Sequence, residues 1–224
     1  GANIVFDDAD LDNAVHWAVE AIFRNAGQIC LAGSRLYVGA GVYDEFMDRF
    51  VAAAEALTIG DPFDPATRFS CLASERHFTK VASYVEGLET DGGKVLTGGV
   101  DDGGRWLVRP TVVTDLPLTA PAYCEEIFGP VCVVNRFESE AEAVALANDN
   151  RYGLNAMLFT ENLSRAHRVA SQLRAGTVWV NCFFIRDLRT PFGGVGDSGV
   201  GREGGNFSRE FFTEPKAVVM QIRR

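Results

Sequence analysis

Asn25–Arg35 reads "NAGQICLAGSR", a single cysteine in a segment of small and polar residues. A thiol acts as a nucleophile when it is accessible and its thiolate is favoured. Gly27 and Gly33 flank Cys30 and allow a substrate close to the backbone, so the Cys30 N–H can also face an oxyanion. The competing reading is a small buried hydrophobe, the commoner state of a free cysteine. No histidine is near in sequence, so a reactive Cys30 must take its base from elsewhere.

Other segments carry chemistry-bearing residues. In "CEEIFGPV", Cys124–Val131, two carboxylates precede an aromatic residue and a Gly-Pro turn. A glutamate there can accept hydrogen bonds from sugar hydroxyls, or the segment is an exposed acidic loop with Phe128 as a packing anchor. In "FFIRDLRTPFGG", Phe183–Gly194, Arg186 and Arg189 stand among aromatic residues. Two guanidiniums in such a loop suit a carboxylate. An ion pair of either with Asp187 or another acid is the equal alternative. "GGVGDSGVGREGG", Gly193–Gly205, lacks the strand-to-helix setting of a dinucleotide fingerprint and reads as a loop. Cys71, Cys124, Cys132 and Cys182 read as packing residues, and His16 and His167 as surface or core residues of helices.

The elements that must position these residues follow from periodicity. Asp10 or Asp12 caps a helix running to about Ala26. Helices are also expected over Val42–Leu57, in "SERHFTKVASYVEGLE" with Ser74 as cap, in "ESEAEAVALAND", and in "ENLSRAHRVASQLRAG" up to Gly176. A short helix is expected near Asn206–Phe212. "RLYVG", "GGKVLTGG", "RWLVRPTVVTDL", "PVCVVNRF", "AMLFT" and "GTVWVN" read as strands. Strands alternating with helices across compact turns predict an α/β fold with a largely parallel sheet and crossover helices. The tail "KAVVMQI" alternates like a strand that pairs outside the main unit.

Composition narrows the function classes. The 224 residues suffice for one large domain, or one with an appendage. A net charge of -9 argues against a nucleic-acid partner, which needs clustered Lys and Arg. An anionic small substrate needs a local basic site. No apolar run is long enough to span a membrane, and "GANIVFDDAD" does not resemble a signal peptide. Five cysteines without metal-ligand spacing predict a reduced, cytoplasmic chain with no structural metal. The chain opens in mid-pattern, a strand end running into a capped helix, so a piece of a longer polypeptide is expected.

Taken together, "GQICLAGSR", "EEIFGPV" and "PFGGVGDSGVGRE" resemble, in order and spacing, the cysteine, nicotinamide-ribose and C-terminal substrate-loop segments of NAD(P)-dependent aldehyde dehydrogenases. The similarity runs the length of the chain. It implies that Cys30 is the nucleophile, that Glu126 holds the nicotinamide ribose of NAD (NADP not excluded), that Phe128 positions the nicotinamide end, and that Phe192 walls the substrate tunnel. "GTVWVNCFFIRDLRTPFGG" most resembles the hydroxymuconic, aminomuconic and carboxymethyl-hydroxymuconic semialdehyde dehydrogenases, whose substrates carry a carboxylate that Arg186, with Arg189, would anchor. It further implies a catalytic domain over 1–205 and a C-terminal helix and oligomerisation arm over 206–224, joining a homo-oligomer. A Rossmann-like half with an oxyanion Asn and a general-base Glu, expected before Gly1, is not in the sequence. The alternatives are a stand-alone binding or assembly module with a reactive thiol, or an aldehyde dehydrogenase for a different substrate.

Overall fold

The structure, a computed structural model, describes residues 1–101, 103 and 105–223. Its centre is one seven-stranded sheet of strands β1 (Ala2–Val5), β2 (Arg35–Gly39), β3 (Lys94–Val100), β4 (Val108–Thr114), β5 (Val131–Phe137), β6 (Asn155–Phe159) and β7 (Thr177–Val180). The spatial order is β3-β4-β5-β2-β1-β6-β7. Every neighbouring pair is parallel except β3 with β4. The three strands β2, β1 and β6 are buried throughout, because helices cover both faces of a parallel sheet.

The helices are α1 (Leu11–Phe23), α2 (Tyr43–Glu55), α3 (Glu75–Gly87), α4 (Pro121–Cys124), α5 (Glu140–Asn148), α6 (Leu163–Gln172) and α7 (Gly205–Phe212). Side-chain caps fix four starts: Asp10 for α1, Ser74 for α3, Ser139 for α5 and Asn162 for α6 each accept from a backbone N–H three residues on. Of the two possible α1 caps, Asp10 is the one used.

Four boundaries differ from expectation. Helix α1 ends at Phe23, not near Ala26, because Asn25, Ala26 and Gly27 all take the left-handed conformation and reverse the chain. Helix α6 ends at Gln172, and Gly176 lies beyond it, where a Cβ would stand 1.6 Å from the Gly193 carbonyl oxygen. Helix α4 was not anticipated. It is one turn, opened by Pro121, whose fixed φ suits a first helical position. The tail 213–223 forms no strand within the chain among the described residues, and Val218, Val219, Met220 and Ile222 are exposed.

Candidate active site

Cys30 occupies a tight turn closed by the Ala32 N–H donating to the Ile29 carbonyl at 3.0 Å. Leu31 points into the core while Cys30 is exposed, so the turn presents the thiol outward. Three contacts hold that turn. The three left-handed residues before it bring the chain back from α1. The Gln28 side chain accepts from the Ala73 N–H at 3.0 Å. Asn155, buried at the start of β6, donates to the Leu31 carbonyl at 3.1 Å. Among the described residues the Cys30 N–H donates to no other group, so it is free for an oxyanion.

The other cysteines divide. Cys132 is buried in β5, and burial pushes its thiol far up, as it does more mildly for the half-buried Cys182. Cys71 and Cys124 are exposed, which corrects the expectation that all four are packing residues. Both lie on irregular or single-turn backbone at the surface, where core periodicity gives no guide. Cys124 donates its S–H to the Leu118 carbonyl.

Cys30 and the "EEIF" segment line one cavity of about 270 Å³, together with Gly1, Arg35, Tyr152 and Asn155. Glu126 and Phe128 face outward and Ile127 inward. Gly27 makes the juxtaposition close: a Cβ there would be 2.2 Å from the Gly129 carbonyl oxygen. Behind the segment stands α3, whose His77, Lys80 and Tyr84 form one stripe at helical spacing. His77 Nε2 donates to the Phe128 carbonyl at 2.7 Å, and Lys80 Nζ to the Glu126 carbonyl at 2.9 Å. The Tyr84 hydroxyl donates to the Glu125 carboxylate, and that bond, with burial, pushes the Tyr84 pKa up to about 12. This support was missed in the sequence, although polar residues three and four apart on an amphipathic helix were its available signal. Asn155 was missed too, hidden in a strand-like apolar run.

The cavity lies where the chain enters β1, β2, β5, β6 and β7, at the amino edge of the parallel sheet. Ligands of open α/β sheets usually bind at the carboxyl edge. Here α5 and α6 end at the cavity, with Asn148 and Arg174 in its wall, so carbonyl ends rather than helix N-termini face it. Such an edge gives no phosphate cradle. It offers a thiol, a carboxylate able to accept from a ribose and an aromatic ring, so these residues fit the nicotinamide-riboside end of a dinucleotide.

Arg186 and Phe192 line a second cavity of about 250 Å³ with Trp179, Leu188 and Glu203. Phe192 is pinned there by paired backbone hydrogen bonds with Glu203 at 2.9 and 2.8 Å. The Arg186 guanidinium stacks 5.3 Å from the Phe192 ring centre and 5.5 Å from that of Phe184. Arg189 lines neither cavity: its guanidinium is bound by the Asp187 carboxylate, which it holds below the usual carboxylate range. The two cavities share no lining residue.

Residues 1–218 match the model of the aldehyde dehydrogenase family. The chain belongs to the aldehyde dehydrogenase family. It is 50% identical over 228 residues to the 2-hydroxymuconic semialdehyde dehydrogenase of Pseudomonas sp. strain CF600, covering 99% of this chain and 47% of that protein. It is 42% identical to the 2-aminomuconic semialdehyde dehydrogenase of Mus musculus, covering 97% of this chain and 46% of that one. Two crystal structures, one of PnpE from Pseudomonas sp. WBC-3 and one of PnpE in complex with nicotinamide adenine dinucleotide, each superpose with a TM-score of 0.92 at 45% identity, over 96% of this chain and 45% of theirs. The chain thus spans about half the length of the aldehyde dehydrogenases it matches. The fold expected from the three motifs is the fold observed.

Proposed function

We propose that this chain is the catalytic portion of an NAD-dependent aldehyde dehydrogenase that oxidises a carboxylated semialdehyde of the muconic type to the acid. The observation that carries this reading is the shared cavity of Cys30, Glu126 and Phe128. The Cys30 thiolate adds to the aldehyde carbonyl, giving a thiohemiacetal whose oxyanion the free Cys30 N–H stabilises. NAD, when bound, accepts the hydride from that carbon. Glu126 takes the nicotinamide-ribose hydroxyls and Phe128 bounds the ring. The resulting thioester on Cys30 is cleaved by water, releasing the acid and restoring the thiol. Glu126 and Phe128 are set for this by the α3 stripe, which grips the backbone on either side of Ile127.

The carboxylate preference rests on Arg186, a guanidinium without an ion-pair partner among the described residues, stacked on Phe192 in the second cavity. The muconic-type relatives at 50% and 42% identity support the same substrate class. Phe192 forms the aromatic wall. Arg189, neutralised by Asp187, is secondary. Residues 1–205 form the catalytic domain, and 206–224 the helix and arm through which copies associate, which accounts for the exposed apolar tail. All five cysteines are free, as suits a reducing cytoplasm. No helix among the described residues is long and apolar enough to cross a membrane.

The test uses the full-length protein containing this chain. Cys30→Ala should abolish aldehyde-dependent NADH formation and leave NAD binding intact. Retained turnover would refute the nucleophile assignment. Arg186→Ala should lose about 2–5 kcal/mol of kcat/KM free energy on a carboxylated semialdehyde and little on an uncharged aldehyde of the same length. Equal losses on both would remove the anchor.

A further inference from the structure

The ring of Phe184 carries a second cation. Arg24 stands at the end of α1, six residues before Cys30, with its guanidinium carbon 5.9 Å from the Phe184 centroid, while that of Arg186 lies 5.5 Å from the same centroid. Neither arginine forms an ion pair among the described residues, in a chain of net charge -9 where Arg49, Arg68, Arg165 and Arg168 each hold a carboxylate. The shared ring is held in place. Phe184 packs on buried Phe183 at 5.8 Å, Phe183 meets Trp179 edge-on at 5.6 Å, and the Trp179 N–H donates to the Ile185 carbonyl at 2.9 Å. Phe184 itself takes a left-handed φ of 60°, a conformation that is costly for an aromatic residue. Asn13 of α1 donates to the Asn181 carbonyl at 3.0 Å, docking α1 on the loop that carries Phe184 and Arg186.

We propose that Arg24 is a second specificity residue for the substrate carboxylate, acting with Arg186 as a two-guanidinium clamp about Phe184. The inference rests on the reading of the substrate as a carboxylated semialdehyde. Arg24 and Arg186 line different cavities, but their guanidiniums lie against one ring and neither is neutralised by an acid, so a carboxylate that reaches this ring meets two charge-assisted partners. The ring orients both planar forks, so less rotamer freedom is lost when the carboxylate binds. Because Arg24 sits on the cysteine segment, the clamp also fixes the distance from carboxylate to thiol and favours substrates of one length.

The experiment compares adipate semialdehyde with hexanal in the full-length enzyme carrying Arg24→Gln, Arg186→Gln, both, or Arg24→Lys, with melting temperatures measured in parallel. Arg24→Gln should lower kcat/KM for adipate semialdehyde by about tenfold, mostly through KM, and leave hexanal within about twofold. Arg24→Lys should fall between it and wild type, since it keeps the charge and loses the fork; it also supplies the readout where the glutamine variant folds poorly. A wild-type substrate ratio in Arg24→Gln, with the ratio collapsed in Arg186→Gln, overturns the role of Arg24 and leaves the carboxylated substrate standing. A wild-type enzyme indifferent to the carboxylate overturns the substrate reading itself. Equal losses on both aldehydes in Arg24→Gln also overturn the proposal, because they assign Arg24 to holding the Cys30 turn.

Discussion

Replacing Gly27 by alanine tests whether the cysteine turn and the cofactor segment are one assembly. A Cβ at Gly27 would lie 2.2 Å from the Gly129 carbonyl oxygen, 2.4 Å from its carbon and 2.8 Å from Pro130 N, whereas ordinary contact begins at 3.4 Å. The two backbones must therefore separate by about 1 Å. Gly129 cannot retreat freely, because its own side faces Val81 of α3, 2.7 Å from where its Cβ would be. The φ of +69° adds about 1–2 kcal/mol for any L side chain. Together these should destabilise the protein by about 3 kcal/mol. Displacing the nucleophile by about 1 Å from the cofactor segment should lower kcat/KM about 100-fold. The assays are thermal unfolding, NADH formation, and the rate of Cys30 alkylation by iodoacetamide. The alkylation rate should change little, since the thiol stays exposed while its alignment is lost. Gly201→Ala is the control: its φ is +79° but nothing stands within 4 Å of its Cβ, so it isolates the conformational part. The reasoning fails if Gly27→Ala loses no more activity than Gly201→Ala.

Further outcomes follow from the site and its frame. Lys80→Met should raise the KM for NAD and leave the alkylation rate of Cys30 unchanged, because Lys80 holds the Glu126 carbonyl and not the cysteine turn; a change in alkylation alone would contradict this. Tyr84 ionises near pH 12, because its hydrogen bond to Glu125 favours the neutral phenol. Its contribution to stability is complete below the ordinary tyrosine range and is lost as pH rises through that value. Tyr84→Phe should remove one phenolate from the phase near pH 12 of an ultraviolet titration. Arg189→Ala should leave the preference for carboxylated aldehydes unchanged, since Asp187 already neutralises it. Glu140 accepts from Arg168 at 2.6 and 2.8 Å, which lowers its pKa and ties α5 to α6. Its contribution is present at neutral pH and lost as pH falls through the folded value. The melting temperatures of wild type and Glu140→Gln should therefore differ at pH 7 and converge in acid.

What the sequence displayed and what it hid have separate physical causes. Two helix starts were legible from their caps, Asp10 and Ser74, because a cap is a local bond to an N–H three residues on; Ser139 and Asn162 cap α5 and α6 in the same way without having been singled out. Helix ends were less so. In "RNAG", Asn25 and Gly27 take positive φ readily, but nothing announces that Ala26 between them does too, since alanine has no local reason to do so. That conformation is imposed from outside, by the Gly27–Gly129 contact and by Asn155 gripping the Leu31 carbonyl from 124 residues away. The resemblance of the three motifs supplied the candidate residues of the site. It could not say which motifs share a cavity. Cys30 and Glu126 meet because β2 and β5 are neighbours in the sheet, so the loops that enter them converge at one edge. Arg186 and Phe192 follow β7, two strands beyond β1, and so open a separate cavity. A substrate that uses both must extend from the β2–β5 entrance toward β7, which requires an elongated aldehyde with its anion at the far end. Under the proposed reading, sheet order rather than any single motif sets the reach that a substrate touching both Cys30 and Arg186 must have.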